Sequence, residues 1–338
     1  MRIALRAPNW LGDAVMALPA MAALRRLFAD DVVTIAGLPS VLTIFKEDHD
    51  AAPVELLPID GGTGRAAIRS LAAGRFDRIV LFTGSFGSAW VARRAGVRER
   101  WGFGGRGRGV LLTRAVRKPA RAERGHHADF YRALARGLGA TDGIDAAPRL
   151  AARPETHALG VAALRRAGVD SGRPLVAFAP GAAYGHAKRW PAARVADVAA
   201  RLVRTRGAAA VLVGGPGDRD AGRAIESWLR AHAPAEARQV ANLIAATDVR
   251  GLIGTLAAAK LVVANDSGAA HIAAALGVPA ITIFGPTDER ATAPIGPGVA
   301  LSHDVFCRPC MLRDCPIDHR CMKRISADTV FDRAEALL

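Results

Sequence analysis

The chain has 338 residues, which is more than one typical domain needs and suits two domains of about 150 residues each. Hydrophobic residues make up 51% of the chain and aromatic residues only 5%, so small aliphatic side chains must supply most of the packing. No uninterrupted apolar run of about 18 residues occurs, which argues against a membrane-spanning helix. Asn9 and Asp13 interrupt the region where a signal peptide needs its apolar core, so we expect a cytoplasmic protein.

The net charge of +15 favours an anionic partner, which could be nucleic acid, a membrane surface or an acidic substrate. The charge is concentrated between Arg93 and Arg124, where eleven basic residues face two acidic ones. Two interpretations stand for this stretch: a solvated loop surface, or a patch that docks an anion.

In chain order, short β-branched runs alternate with longer amphipathic segments. Strands are predicted at Arg2–Arg6, Val32–Ala36, Arg78–Phe82, Pro174–Ala179, Ala209–Val213, Leu261–Ala264 and Ala280–Phe284, and helices at Gly12–Phe28, Phe86–Ala95, Ala128–Leu138, His157–Ala167, Pro191–Arg206, Asp218–Ala231 and Val249–Lys260. This alternation predicts an α/β fold with two Rossmann-like domains built on parallel sheets. We place the boundary between 1–150 and 151–338, in a segment rich in Ala, Gly, Asp and Pro.

The first motif, Asn-Trp-Leu-Gly-Asp at 9–13, directly follows the first strand. Asp13 then falls in the first turn of a helix, where a carboxylate can simply stabilise the helix start. Alternatively, it is a general base that takes a proton from an attacking hydroxyl.

The second motif runs from Phe178 to Pro191 and contains Gly181, Lys188 and Arg189. A glycine-rich turn with cations suits a phosphate, because backbone N–H groups can approach while the side chains neutralise charge. The Gly-Lys-Ser/Thr ending of a P-loop is absent.

The third motif, Asn-Asp-Ser-Gly-Ala-Ala-His at 265–271, lies between a strand and a helix. This arrangement places a diphosphate at a helix N-terminus. Ser267 is expected to cap the helix, Gly268 to let a ligand approach the backbone, and His271 to lie one turn further on. A capped helix with a packed histidine is the alternative.

Two weaker sites complete the set. Asp218, after a strand-to-helix turn, could accept hydrogen bonds from a ribose, and the loop 285–288 follows the last predicted strand. Both are also explained as ordinary turns. The second half contains no G-x-G-x-x-G fingerprint, which disfavours a nicotinamide or flavin enzyme.

Together, the three motifs resemble glycosyltransferase family 9, the bacterial heptosyltransferases, and within it the branch that adds the second heptose of the lipopolysaccharide inner core. The likeness runs in order from Met1 to about Pro286. It implies a GT-B fold, with two Rossmann-like domains facing across a cleft, and inverting transfer of L-glycero-D-manno-heptose from ADP-heptose without a required cofactor.

The resemblance also implies roles for single residues. Asp13 would be the catalytic base. The acceptor, an acidic lipopolysaccharide core at the inner-membrane surface, would contact the first domain (1–150), with Asn9, Trp10, Arg98, Arg100 and His127 as candidates. The donor would contact the second domain (151–338), with Gly181, Lys188, Asp218, Asp266, Ser267, Gly268 and His271 as candidates.

All four cysteines fall within fifteen residues, Cys307, Cys310, Cys315 and Cys321, spaced C-x2-C-x4-C-x5-C. In a cytosolic protein such a cluster indicates a metal site before disulfides. A structural metal is therefore one interpretation, and reduced thiols packed in a loop are the other.

The alternatives within the enzyme class are a heptosyltransferase that adds the first heptose and another member of family 9. Outside it, the charge and the cysteines could suit a nucleic-acid-binding protein, but the basic stretch offers only Trp101 and Phe103 as aromatics and no binding module is legible. We therefore expect no nucleic-acid partner. We expect a cytoplasmic enzyme, with peripheral association with the inner face of the inner membrane as a further option.

Overall fold

The computed structural model describes residues 1–60, 62–105, 107–120 and 125–338. Arg106, Arg121 and Arg124 of the basic stretch lie outside the described residues. The chain divides into two compact units, Met1–Leu150 and Ala151–Leu338. In the described ranges, no helix has both the length and the apolar character needed to cross a membrane.

The first unit is built on a six-stranded sheet in the order β4-β2-β1-β5-β6-β7, in which every neighbouring pair is parallel. Its strands are β1 (Arg2–Arg6), β2 (Val32–Gly37), β4 (Glu55–Pro58), β5 (Arg78–Leu81), β6 (Glu99–Phe103) and β7 (Arg114–Val116). Two further short strands, β3 (Asp48–His49) and β8 (Leu150–Ala151) at the boundary of the unit, lie outside this sheet. The helices are α1 (Leu11–Leu27), α2 (Pro39–Leu42), α3 (Arg65–Ala73), α4 (Phe86–Arg94) and α5 (His127–Gly137).

The second unit repeats this plan with the order β11-β10-β9-β12-β13-β14, again parallel throughout. Its strands are β9 (Leu175–Ala179), β10 (Ala209–Leu212), β11 (Val240–Asn242), β12 (Leu261–Asn265), β13 (Ala280–Phe284) and β14 (Gly298–Ser302). Its helices are α6 (Pro154–Arg166), α7 (Ala192–Arg206), α8 (Arg219–His232), α9 (Pro234–Ala237), α10 (Val249–Ala257), α11 (Gly268–Ala275), α12 (Glu289–Thr292), α13 (Arg320–Lys323) and α14 (Ala327–Leu337).

The central strands of the second sheet, β9, β10, β12 and β13, are buried at every residue. Parallel strands covered by helices on both faces lose the polar–apolar alternation and become continuous apolar runs, which explains why the sequence marks them clearly. In both sheets the strands run in one direction, so the loops that follow them meet at one edge. This edge of the first sheet carries the first motif, and the corresponding edge of the second sheet carries the second and third motifs.

Helices α6 and α10 of the second unit approach at two glycines. A Cβ at Gly160 would lie 2.1 Å from the backbone carbon of Gly254, and a Cβ at Gly254 would lie 2.0 Å from the carbonyl oxygen of Thr156. The two helices therefore touch backbone to backbone, which only glycine allows.

We predict that Gly254→Ala lowers the melting temperature. Alanine is the better helix former by about 1 kcal/mol, but forcing a methyl group into this contact costs about 1–3 kcal/mol or more. Gly109→Ala is the control, because an added Cβ there meets nothing within 4 Å. Thermal unfolding followed by circular dichroism measures both variants, and a higher melting temperature for Gly254→Ala would contradict the packing argument.

Candidate functional site

A cavity of about 390 Å³ lies at the carboxyl ends of β1 and β5 in the first unit. Its lining includes Asn9, Trp10, Asp13, Lys118, His127 and Tyr131. The register pairs Arg6 at the end of β1 with Leu81 at the end of β5, so the loops after these strands are neighbours. The structure thus brings four of the predicted residues, Asn9, Trp10, Asp13 and His127, into one cavity.

The turn before Asp13 is held from beneath by Arg6. The Arg6 guanidinium is buried and donates hydrogen bonds to the Ala7 carbonyl at 2.7 Å and to Asn9 Oδ1 at 2.9 Å. Burial lowers the pKa of Arg6 to about 10, which leaves it charged at neutral pH. Asn9 is therefore oriented by a buried cation.

Asp13 lies in the first turn of α1, and two side chains of α5 face it. Its Oδ1 is 3.4 Å from His127 Nε2, and Tyr131 is hydrogen-bonded to the same carboxylate. Burial, followed by the Asp13 charge and this hydrogen bond, raises the pKa of Tyr131 well above 10, so at neutral pH the Tyr131 hydroxyl keeps its proton and donates a hydrogen bond to the carboxylate. The Asp13 side chain keeps 25% of its surface exposed, so a reactant can reach it.

The cavity wall has a second buried support that the sequence did not single out. Arg108 is 2% exposed and donates a hydrogen bond to the Thr83 carbonyl at 2.6 Å. Thr83 lines the cavity. One arginine of the basic stretch is thus a structural member of the core and not a surface charge.

Arg98 and Arg100 lie elsewhere. β6 runs parallel to β5 with Arg78 opposite Glu99, so both arginines sit at the amino end of the strands, while Asp13 follows the carboxyl end of β1. The Arg100 guanidinium donates to the carbonyls of Val97, Arg98 and Leu111. The structure does not bring these two candidates to the cavity.

In the second unit, the loops after β9, β12 and β13 converge on Asp266. Lys188 Nζ lies 2.6 Å from Asp266 Oδ2, and Thr287 Oγ1 donates to the same oxygen at 2.7 Å. All three residues are at least nine-tenths buried. Lys188 and Asp266, predicted from separate motifs, are therefore one ion pair. Thr287 was missed, although the sequence analysis had marked its loop as a weak site.

Asn265 joins two of these loops. Its side-chain amide donates to the carbonyls of Pro180 at 2.7 Å and Gly181 at 3.3 Å, and its Oδ1 accepts from the Trp190 amide at 3.1 Å. Asn265 is 2% exposed, so its side-chain hydrogen bonds are made almost entirely away from solvent. The first residue of the third motif thus fixes the shape of the second motif.

Gly181 is a glycine because Asp218 packs against it. A Cβ at Gly181 would lie 2.1 Å from Asp218 Cγ. The Asp218 carboxylate accepts from the Gly215 amide at 3.0 Å and from Arg189 Nη2 at 3.3 Å. The structure brings these two predicted donor residues into direct contact, with Asp218 holding its own turn.

The helix α11 begins at Gly268 and has Ser267 at its N-cap position. The predicted capping bond is wrong, because the Ser267 side chain makes no bond to the helix start. Within the part of the chain that the structure describes, Ser267 Oγ is buried and has no hydrogen-bond partner. His271, one turn on, is 5% exposed. The backbone N–H groups of the first helical turn and the Ser267 hydroxyl form a site suited to an anion.

The cysteine segment does not form the predicted metal site. Cys321 is buried and the other three thiols are partly exposed, all four unbridged. Among the described residues, no three Cys, His, Asp or Glu side chains are placed to hold a metal ion. Protein contacts order the segment: Arg308 donates to the Gly285 and Thr287 carbonyls at 2.7 and 2.9 Å, and the Ala187 amide donates to the Arg313 carbonyl at 2.9 Å. The arrangement agrees with reduced thiols in a packed loop.

Two parallel-sheet units, one with a carboxylate in a cavity and one with an anion site at a helix start, are typical of enzymes that bind ligands at the carboxyl ends of parallel strands. Residues 65–320 match glycosyltransferase family 9 (heptosyltransferase). The chain is 32% identical to lipopolysaccharide heptosyltransferase 2 of Salmonella typhimurium over 308 residues, covering 87% of this chain and 86% of that protein. It is 29% identical to lipooligosaccharide heptosyltransferase 2 of Haemophilus ducreyi, with the same coverage.

The structure of E. coli ADP-heptose lps heptosyltransferase II superposes with a TM-score of 0.82 at 26% identity, covering 100% of this chain and 98% of that one. The chain belongs to glycosyltransferase family 9. The predicted fold class, two Rossmann-like domains with parallel sheets of the GT-B type, is confirmed, and so is the prediction of a glycosyltransferase.

We predict that Tyr131 ionises well above pH 10 and that this depends in part on Asp13. The protein has two tyrosines, so Tyr184→Phe leaves Tyr131 as the only one. In that background the ultraviolet absorbance of tyrosinate should rise only above pH 10, because burial and the Asp13 carboxylate disfavour the tyrosinate. Adding Asp13→Asn should lower the midpoint. An unchanged midpoint would show that Tyr131 and Asp13 do not interact in solution.

Proposed function

We propose that the protein transfers L-glycero-D-manno-heptose from ADP-heptose to the inner core of lipopolysaccharide and that the heptose it adds is the second. The observation that carries this proposal is the likeness, over 87% of the chain, to relatives named lipopolysaccharide heptosyltransferase 2. Family members also include lipopolysaccharide heptosyltransferase 1 of Pseudomonas aeruginosa, which matches 44% of this chain. A first-heptose enzyme is therefore the second candidate.

In the proposed mechanism, Asp13 is the general base. A partly exposed carboxylate in a cavity can accept the proton of an acceptor hydroxyl as the hydroxyl oxygen attacks the anomeric carbon. Attack opposite the departing ADP inverts the configuration at that carbon. Tyr131 and His127 hold the carboxylate, and Asn9, Trp10 and Lys118 would contact the acceptor.

The second unit would bind the donor. An ammonium has three N–H donors, and Asp266 accepts with Oδ2 at 2.6 Å and with its carbonyl at 3.5 Å, which leaves one for the diphosphate. The N-terminus of α11 and the Ser267 hydroxyl would bind the same phosphates, and His271 would lie beside them. Asp266 would meet the heptose, and Gly181 and Asp218 the nucleoside. Stabilisation of the leaving ADP would come from these groups, so the proposed transfer needs no cofactor.

Nucleic-acid binding is not supported by the aromatic residues of the basic stretch. The Trp101 ring is covered by the Arg78 guanidinium at 3.7 Å and by that of Arg114 at 4.9 Å, and Phe103 is 4% exposed. Neither ring is presented for stacking on a base, which single-stranded recognition requires.

The proposed reaction is tested with purified protein, ADP-heptose and two lipid acceptors, one without heptose and one that carries one heptose. We expect the one-heptose acceptor to gain a heptose by mass spectrometry, with release of ADP. Reaction only with the heptose-free acceptor would identify the first-heptose activity. No release of ADP with either acceptor would contradict the proposed function.

We predict that Asp13→Asn reduces the rate of transfer by at least about a hundredfold, because general-base catalysis typically contributes that much. ADP-heptose affinity, measured by calorimetry, should stay within about twofold of the parent value, since a difference below about 0.4 kcal/mol is expected for a residue outside the donor site. Asp30→Asn, at an exposed carboxylate beyond the other end of α1, is the control. Equal losses of transfer and donor binding would remove Asp13 from the role of base.

A further inference from the structure

One layer of the first unit has an unusual outer surface. Helices α3 and α4 and the 3-10 helix Arg108–Leu111 share a core with the sheet, to which they contribute side chains such as Leu71, Ala89 and Leu111. We call the outer side of these three elements the α3–α4 face. The inward-facing side chains of these elements pack in this core, so packing within the unit does not explain the apolar side chains on their outer side.

Three large apolar side chains project from the α3–α4 face. Phe86 and Trp90 on α4 are 49% and 43% exposed, and Val110 is 79% exposed. Residues four apart lie on the same side of a helix, so the two aromatic rings form one stripe. Apolar side chains grouped on one helix face indicate an interaction surface, whereas singly exposed ones need no explanation.

The charge on the same face has a single sign. The three elements contain no aspartate or glutamate, and four arginines, Arg65, Arg69, Arg93 and Arg94, are exposed there. The Arg94 guanidinium lies 5.8 Å from the centre of the Trp90 ring. Aromatic rings interleaved with arginines are suited to the surface of an anionic bilayer. There the rings enter the boundary between headgroups and acyl chains, and the guanidinium groups contact lipid phosphates.

We propose that the α3–α4 face docks the protein on an anionic phospholipid surface. The location of this face suits the proposed acceptor. Helix α4 is capped by Ser85, whose Oγ accepts from the Ser88 amide at 3.1 Å, and Ser85 and Gly84 also line the Asp13 cavity. Docking on α4 places the rim of that cavity at the lipid headgroups. This last consequence rests on the proposed function, whereas docking itself does not.

The test is co-sedimentation of the full-length protein with vesicles of phosphatidylglycerol and phosphatidylethanolamine, compared with pure phosphatidylcholine. We expect binding to the anionic vesicles. The double variant Phe86→Ser/Trp90→Ser should bind them at least about tenfold more weakly, because both rings lose their apolar burial. The double variant Arg69→Glu/Arg94→Glu should bind the anionic vesicles more weakly than the parent, by about fivefold or more for each arginine replaced.

Matched controls lie on α6 of the second unit. Leu159→Ser removes an apolar side chain of 47% exposure, and Arg165→Glu/Arg166→Glu reverses two exposed arginines. Both should bind the anionic vesicles like the parent protein. Raising the salt from about 0.1 M to about 1 M should weaken the parent without abolishing its binding, because screening removes the ionic part and leaves the aromatic part.

The proposal would be overturned if the parent protein did not bind anionic vesicles, or if the Phe86→Ser/Trp90→Ser variant bound them as tightly as the parent. It would also be overturned if the parent lost all vesicle binding in high salt and bound DNA in a parallel assay. That last result would identify a nucleic-acid surface. Transfer to a deacylated acceptor, measured alongside, should be unchanged in Phe86→Ser/Trp90→Ser. If the parent protein itself transferred no heptose to the deacylated acceptor, the proposed function would be refuted and the result on vesicle binding would still hold.

Discussion

The buried ion pair of Lys188 and Asp266 is the interaction on which the site of the second unit depends. Two charges removed from water are tolerated only where geometry and further hydrogen bonds compensate their desolvation. Here the compensation comes from Thr287, which donates to the same carboxylate oxygen at 2.7 Å. Removing one partner of such a pair typically lowers the free energy of unfolding by about 3–5 kcal/mol. The pair therefore strongly restrains the loops that carry Lys188 and Asp266.

Three loops supply the residues around this pair, and hydrogen bonds tie each loop to the next. Asn265 connects the loop after β12 to the loop after β9 through three bonds. The Thr287 hydroxyl connects the loop after β13 to the loop after β12 through its bond to Asp266 Oδ2. Preorganisation of this kind lets dipoles and charges act on a leaving group without first rearranging.

The sequence was sufficient for the parts of the fold that are long, apolar or punctuated by glycine. The central strands were recognised because both of their faces are buried. The edge strands β4, β7, β11 and β14 were missed, since edge positions tolerate polar and charged residues such as those of Arg114–Val116. The neighbour of β7, β6 (Glu99–Phe103), was missed as well, because it is short and begins with two charged residues. The residues of the third motif were located correctly, but their bonding was not, as the Ser267 side chain shows.

The remaining differences at the site come from contacts that spacing along the chain cannot reveal. The grouping of Arg98 and Arg100 with Asp13 assumed one basic surface, but strand direction separates the two ends of β6. Thr287 is an ordinary residue in the sequence and becomes a site residue only because folding places it beside a carboxylate. The cysteine spacing suggested a metal, whereas neighbouring carbonyls and arginines order that segment.

The contact between Gly160 and Gly254 fixes the first helix of the second unit against another helix of the same unit. Helix α6 is the first helix after Leu150, and its backbone meets that of α10 with no side chain between them. Helices this close have little freedom to slide or rotate, since any shift drives backbone atoms together. The polypeptide is thereby anchored to the rest of this unit at Gly160, the tenth residue after Leu150.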